Sequence, residues 1–261
     1  MQADNQLINS LWIGKKLSAI ELLTLHSFLR HGHTFHLWVY EELDNDLPDG
    51  VVLRNANEII PHEAVFAYPK RSRLDQLRIR LADRGLHFMR PKGIDWGDGS
   101  YAGFSDIFRY KLLFEKGGWW VDMDVTCLQA FDFSSPYFFR NHWKLDVVGN
   151  IMKCPQHSAL MKSCYERAAK EVTRDNEDWH KPILILNEEI KQHRLSKYIR
   201  EGLFNLDIAS TIEQFRRKDL PIPEQWIGIH WINSTGTTLQ VGNNTLNRLL
   251  AAYGLSHAPI Q

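Results

Sequence analysis

Three short stretches decide the fold: Ile8-Asn9-Ser10-Leu11-Trp12-Ile13-Gly14, Ser18-Ala19-Ile20-Glu21 and Thr34-Phe35-His36-Leu37-Trp38-Val39-Tyr40. The run from Ile8 to Trp12 stops at Gly14, as a buried strand does. Ser18 and Glu21 have the spacing of a capping box, in which two side chains satisfy the free N–H groups of a helix start. Behind that cap, Ile20, Leu23, Leu25, Phe28 and Leu29 fit a helix packed on a sheet, and His31-Gly32 ends it. Thr34 to Tyr40 then alternates Phe35, Leu37 and Val39 against His36, Trp38 and Tyr40, a period of two. A strand–helix–strand unit of this length implies parallel neighbouring strands.

Working outward, Val51 to Leu53 reads as a third strand and Lys70 to Lys92 as a basic helical stretch. Gly93 to Gly103 is a Gly-rich connection. Ser105 opens a second clear helix, with Phe108, Leu112 and Leu113 on its buried side. Gly117-Gly118 stops it, and Trp119 to Cys127 reads as a strand. Asp146 to Met152 and Gln225 to Trp231 read as strands, and His157 to Val172 and Thr245 to Tyr253 as helices. Repeats, low-complexity tracts and linkers are lacking. The expectation is one α/β domain over residues 1–261, with a mostly parallel sheet flanked by helices and a less regular C-terminal half.

Composition narrows the function. The 261 residues are 44% hydrophobic and 24% charged, enough to bury a sizeable core. Lys plus Arg and Asp plus Glu are 31 each, so the net charge is zero. That balance argues against a nucleic-acid partner, whose phosphate backbone needs a surplus of cations. Nine Trp and thirteen Phe supply flat rings for stacking on bases and sugars as well as for packing. Cys127, Cys154 and Cys164 form no Cys-x-x-Cys pair, and an odd number reads as reduced thiols in a cytoplasmic protein. The polar start, Met1 to Gln6, lacks the basic-then-apolar pattern of a signal peptide. No apolar run approaches the ~20 residues that span a bilayer. Any lipid-linked substrate would have to be met at the membrane surface.

Ligands of open α/β sheets bind beyond the carboxyl ends of the parallel strands. This brings together Trp12, Ile13 and Gly14, then Tyr40, Glu41 and Glu42, and then Asp122 and Asp124. Two carboxylates two apart on a strand face the same way and can share one hard cation. Such an ion would neutralise a diphosphate and stabilise it as a leaving group. Asp106 and Arg109, at i and i+3, share a helix face. They are either a surface ion pair or a pair that holds sugar hydroxyls and phosphate, and the spacing leaves both readings open. Trp12 either ends a core strand or stacks on a base, with Gly14 allowing close approach. His230 either sits in the core or brings a neutral imidazole to the metal. Ser234, in the polar turn Asn233-Ser234-Thr235-Gly236, suits phosphate or sugar oxygens. The cluster His31-x-His33-x-x-His36 lies at the opposite sheet edge and reads as a solvated turn rather than a zinc site. The basic segment 70–92 is either a solvated helix face or a dock for an anionic membrane or lipid diphosphate.

Ser105-Asp106-Ile107-Phe108-Arg109-Tyr110, Gly117-Gly118 and Val121-Asp122-Met123-Asp124, together with Leu11-Trp12-Ile13-Gly14, resemble a known signature. It is that of glycosyltransferases whose sugar-binding region contains the DXD motif, a family of yeast-type initiating mannosyltransferases and capsular polysaccharide transferases, with the large cytotoxin glucosyltransferases more distant. The resemblance covers about residues 7–60 and 100–130. It implies a GT-A type fold, with a nucleotide-sugar-binding half over about 1–130 and an acceptor-binding half over about 131–261. It implies a divalent cation, manganese first and magnesium second, and transfer of a hexose with retention. UDP-hexose is the first donor and GDP-mannose the second, with a glycan or lipid-linked saccharide as acceptor in surface polysaccharide synthesis. By the same resemblance Trp12 stacks on the base, Asp106 and Arg109 hold the donor sugar, Asp122 contacts ribose or sugar, and Asp124 ligates the metal. His230 and Ser234 match the closing segment of the family, with Thr235 where the family has Trp. Asn150 and Glu188 are further candidates in the middle segment.

Two other readings compete. Asp122-Met123-Asp124-Val125-Thr126 also fits the nucleophile motif of haloacid-dehalogenase-type phosphatases, but the only Gly-Asp, Gly97-Asp98, lies upstream of it rather than downstream. A catalytically dead sugar-nucleotide-binding protein is the other, and the presence of both acids, Arg109 and Trp12 argues against it.

Overall fold

The computed structural model describes residues 1, 3–69, 99–176, 178–232 and 242–255. After a helical turn at Ala3–Gln6, the order is β1 (Leu7–Trp12), α1 (Ala19–Arg30), β2 (Thr34–Val39), β3 (Val51–Asn55), α2 (Ala102–Lys116), β4 (Gly118–Val121) and β5 (Val125–Cys127). Then follow β6 (Phe138–His142), β7 (Asp146–Cys154), α3 (Ala159–Glu171), α4 (Lys181–Gln192), β8 (Ile199–Arg200), α5 (Ala209–Arg217), β9 (Gly228–His230) and α6 (Thr245–Ala252). Seven strands form one sheet in the order β3-β2-β1-β4-β7-β6-β8. The pairs β3–β2, β2–β1, β1–β4 and β6–β8 are parallel, and β7 runs antiparallel to both β4 and β6. A separate two-stranded antiparallel sheet joins β5 to β9.

The predicted opening unit is present. Ser18 and Glu21 form the capping box of α1, with the Ser18 side chain accepting from the backbone of the first turn and Glu21 accepting from Ser18 N–H at 2.7 Å. Both sheet faces are buried. On one, Ile8, Phe35, Leu37, Trp119, Val121 and Ile151 pack with Leu22, Leu25 and Phe28 of α1. On the other, Leu11, Trp38, Trp120 and Met152 pack under α2, α3 and α4. Odd and even strand positions thus feed two different cores, which is why Trp38 is buried although it alternates with Leu37. A third cluster joins Ala19, Ile20 and Leu23 to Ile229, Trp231 and the helices α5 and α6.

Several boundaries differ from the sequence reading. Helix α2 begins at Ala102, so Ser105 lies inside it rather than opening it. Residues 119–127 are not one strand: the chain leaves the large sheet after Val121 and re-enters a different one at Val125. Asp122 N–H still donates to Asn150 O (2.9 Å), but Asp124 O accepts from Trp231 N–H (2.9 Å), so the two acids bridge two sheets instead of sharing a strand. The late strand is three residues long. The sequence reading passed over β6, α4 and α5. The segment 70–92, most of the Gly-rich connection and Ser234 lie outside the described residues.

The histidine turn is also corrected in part. His33 is buried, not solvated: its Nδ1–H donates to Asn5 O (3.0 Å) and its Nε2 accepts from Phe131 N–H (3.0 Å). These two bonds define the neutral ring, and burial holds its pKa down at about 4 against an ordinary 6.5. The unfolded chain takes up the proton more readily, so stability is complete above about pH 6.5 and falls toward pH 4 by up to about 3 kcal/mol. Urea unfolding of the wild type and His33→Asn across that range should show a steeper acid loss in the wild type. Equal pH dependence would overturn this assignment.

Candidate active site

The DXD turn lies where β4 ends, at the C-terminal edge of β1, β2 and β4. Gly117 and Gly118, at φ +67° and +85°, reverse the chain from α2 into β4. A Cβ on Gly117 would meet the backbone of Gln156 at 2.5 Å, so the reversal is also sterically committed to glycine. Helix α2 and β4 are therefore held side by side, and Arg109 reaches across.

Asp106 and Arg109 are 7% and 5% exposed, which removes the reading of a surface ion pair. Arg109 Nη1 lies 3.2 Å from Asp106 Oδ1, and Nη2 donates to Asp122 Oδ1 at 3.0 Å. Trp120 Nε1–H donates to the same Asp122 oxygen (2.8 Å), and the guanidinium lies 5.2 Å from the Trp120 ring centroid. Gly149 of β7 lets this happen, because a Cβ there would collide with the guanidinium. Burial pushes the Asp106 carboxyl up to about 6; Arg109 opposes that shift and the charge of Asp122 adds to it. For Arg109 burial disfavours the charge, yet Asp122 and Asp106 outweigh it and raise the pKa. Arg109 Nε–H has no acceptor among the described residues.

Asp124 turns the other way. Its Oδ1 lies 3.3 Å from His230 Nε2, and His230 Nδ1–H donates to Asp207 Oδ1 (2.9 Å). Asp207 is held in turn by a bidentate pair with Arg140, both contacts at 2.7 Å. Asn205 brackets the backbone of His230, accepting its N–H (2.8 Å) and donating to its carbonyl (3.0 Å). Burial disfavours a charged His230, but Asp207 and then Asp124 override it and raise the pKa to about 10. Burial likewise disfavours the charge of Asp207, and His230 and Arg140 more than reverse that, holding it below the usual carboxylate range.

Among the described residues no group of three or more His, Cys, Asp or Glu is placed to hold a metal. Asp124 and His230 face each other with an oxygen and a nitrogen, and a cation bound between them would displace the proton that His230 Nε2 otherwise shares with Asp124. Asp207 orients the ring through its far nitrogen, the arrangement usual for a metal-binding imidazole. Asn150 donates to Asp207 Oδ2 (3.4 Å), and its buried Oδ1 meets no donor among the described residues. These atoms suit a divalent cation, whereas Asp122 Oδ1 is already engaged by Arg109 and Trp120.

Trp12 ends β1 opposite Val39, half-buried, and its Nε1–H has no acceptor among the described residues. Gly14 (φ +128°) follows close by, where a Cβ would come within 3.8 Å of that nitrogen. Ile13 packs into the core beneath α2, and Tyr40 is tied to Ile60 O (2.8 Å). Glu188 is not at the site; it pairs with Arg167 at 2.8 Å on an exposed face. Sequence reasoning missed Arg140, Asn205 and Asp207. They lie on β6 and in the loop before α5, and no spacing relates them to the DXD motif. Asp207→Asn strands the buried Arg140 and should cost about 3–5 kcal/mol in urea unfolding. Arg140→Met combined with Asp207→Leu should recover part of that loss; a double variant at the sum of two independent losses would contradict the pairing.

Residues 99–144 match the family model of the glycosyltransferase sugar-binding region containing the DXD motif. The match spans α2, Gly117-Gly118 and Asp122-Met123-Asp124. Among solved structures, the chain is similar to one described as PaToxG glycosyltransferase, at 12% identity, covering 72% of this chain and 68% of that one with a TM-score of 0.48. It is also similar to a cysteine-to-serine transferase mutant, at 10% identity over 76% of this chain and 88% of that one, TM-score 0.43. No curated protein sequence matches the chain. The sheet is mostly parallel and flanked by helices, and the DXD turn lies at the end of β4. The likeness to the glycosyltransferases with a DXD-containing sugar-binding region thus rests on residues 99–144.

Proposed function

We propose that the protein is a metal-dependent, retaining hexosyltransferase that uses UDP-hexose, with GDP-mannose as the second donor, and extends a glycan or lipid-linked saccharide in surface polysaccharide synthesis. The observation that carries this reading is the division of the DXD turn: Asp122 bonds to Arg109 and Trp120, while Asp124 faces His230 and Asp207. This division supports a sugar contact for one acid and a cation for the other.

In this reading Trp12 stacks on the nucleotide base, with Gly14 opening the approach. Asp106 accepts hydrogen bonds from sugar hydroxyls. Arg109, already desolvated, offers Nε–H to the sugar or phosphate, where a planar fork holds orientation better than a point charge. Asp124 and His230, with Asp122 nearby, hold the divalent cation, manganese first and magnesium second. Held there, a divalent cation would supply positive charge to the diphosphate as it leaves. The bond from the anomeric carbon to the phosphate oxygen breaks, and a bond from the acceptor hydroxyl oxygen forms on the same face. The acceptor's proton passes to the departing phosphate oxygen, so the site needs no separate base. Ser234 adds a phosphate or sugar contact. The basic segment 70–92 supports a peripheral contact with an anionic membrane at the cytoplasmic side, and no described helix is long and apolar enough to cross one.

UDP at about 100 times its dissociation constant should stabilise the fold by about 2.7 kcal/mol in a thermal-shift assay, and only when manganese is present. Asp124→Asn should abolish that metal dependence while leaving the unliganded melting temperature near wild type. A shift with GDP alone would move the donor to GDP-mannose, and none with either nucleotide would sink the proposal. Trp12→Ala should weaken UDP binding by about 1–3 kcal/mol, the range for one base stacked on an aromatic ring. Unchanged affinity in a titration would return Trp12 to the core.

A further inference from the structure

Trp143 stands apart from the other tryptophans around the site. Trp38, Trp119, Trp120 and Trp231 are at most 2% exposed, whereas Trp143 is 56% exposed. It follows β6 directly, in the turn to β7. Because β7 runs antiparallel to both neighbours, β6 runs in the direction of β4, and its C-terminal end lies at the same sheet edge as Asp122. In the order β1-β4-β7-β6, two inter-strand spacings, about 10 Å, separate β6 from β4 sideways. Asp122 is level with Asn150 of β7 and His142 with Asp146, so the end of β6 also reaches about 13 Å further along the strands. Trp12 lies on the other flank of β4, at the end of β1. The DXD turn therefore sits between two tryptophans, one half-buried and one open.

The exposed indole makes two contacts. Its Nε1–H donates to Asp207 O (3.3 Å), and His142 lies beside it with ring centroids 6.0 Å apart and planes at 32°. Asp207 thus serves two neighbours. Its backbone carbonyl holds Trp143, and its carboxylate holds His230, which faces Asp124. A solvent-facing aromatic plane on the edge that carries the DXD turn suits the apolar C–H face of a pyranose ring. Indole is well matched to that face, since it offers a large flat area at little conformational cost.

We propose that Trp143 is the platform on which the acceptor's sugar ring stacks, on the flank of the DXD turn opposite the nucleotide. The proposal rests on the hexosyltransferase reading for the direction of transfer. The stacking itself is measurable without turnover.

The test uses methyl glycosides of glucose, galactose, mannose and N-acetylglucosamine as probes, in saturation-transfer NMR with UDP and manganese present. At least one should show saturation on the wild type. Trp143→Ala should weaken that glycoside about tenfold, and Trp143→Phe, which keeps a ring, should retain most of the affinity. In a UDP-hexose assay, the ratio of transfer to donor hydrolysis should fall about tenfold in Trp143→Ala. No saturation with any glycoside on the wild type, equal binding in Trp143→Ala, or a parallel fall of hydrolysis and transfer would each overturn the platform. Glycoside binding that depends on Trp143 in a protein without UDP-hexose turnover would instead uphold the platform and overturn the proposed donor chemistry.

Discussion

Two buried arginines organise the catalytic edge. Arg109 and Arg140 are 5% and 1% exposed, and a guanidinium cannot shed its charge to lower the cost of leaving water. Each must be met by carboxylates. Arg109 takes Asp106 and Asp122, and Arg140 takes Asp207 with both oxygens. The acids of the site are thereby fixed by groups that lie beneath them in the core. These acids are therefore held in place before any ligand arrives, which is electrostatic preorganisation.

The constraint passes upward through short connections. Asp207 aligns the imidazole of His230, and His230 faces Asp124. On the other side Arg109 and Trp120 together hold Asp122. The chain between the two acids spans only Met123, whose carbonyl accepts from Thr24 Oγ1 (2.7 Å) in α1. The first helix, the large sheet and the small β5–β9 sheet are thus tied to one turn. A substitution that loosens either arginine would displace Asp122 or, through His230, Asp124 without touching the turn itself.

Much of this was legible from residue patterns. The capping box, the period-two strand and the double glycine announced a parallel sheet with a sharp break before Asp122, and the structure has these elements. Each relies on contacts within a few residues, so local chemistry specifies it. The boundaries that failed rested on longer-range competition. Trp119 to Cys127 alternates apolar residues throughout, and no local signal tells which sheet will claim Val125. Pairing with His230 at β9 decides it. Helix α4 was missed although α3 and β7, over which its Ile185, Leu186 and Ile190 pack, were both read. His33 looked like an exposed turn residue until Asn5 and Phe131, distant in sequence, took both its nitrogens.

The sequence alone determined the class of fold and singled out Asp106, Arg109, Asp122 and Asp124, which lie within the residues that match the family model. Those properties follow from periodicity, caps and a compact motif, all read within windows of a dozen or so residues. Only the tertiary structure decided that the Asp106–Arg109 pair is buried, that Asp122 and Asp124 face different partners, and that Arg140 and Asp207 orient His230. It alone placed Trp143 on the same edge. The reason is physical: desolvation and charge pairing depend on which distant surfaces close over a side chain, and that closure is settled by the packing of sheets and helices rather than by any neighbour along the chain.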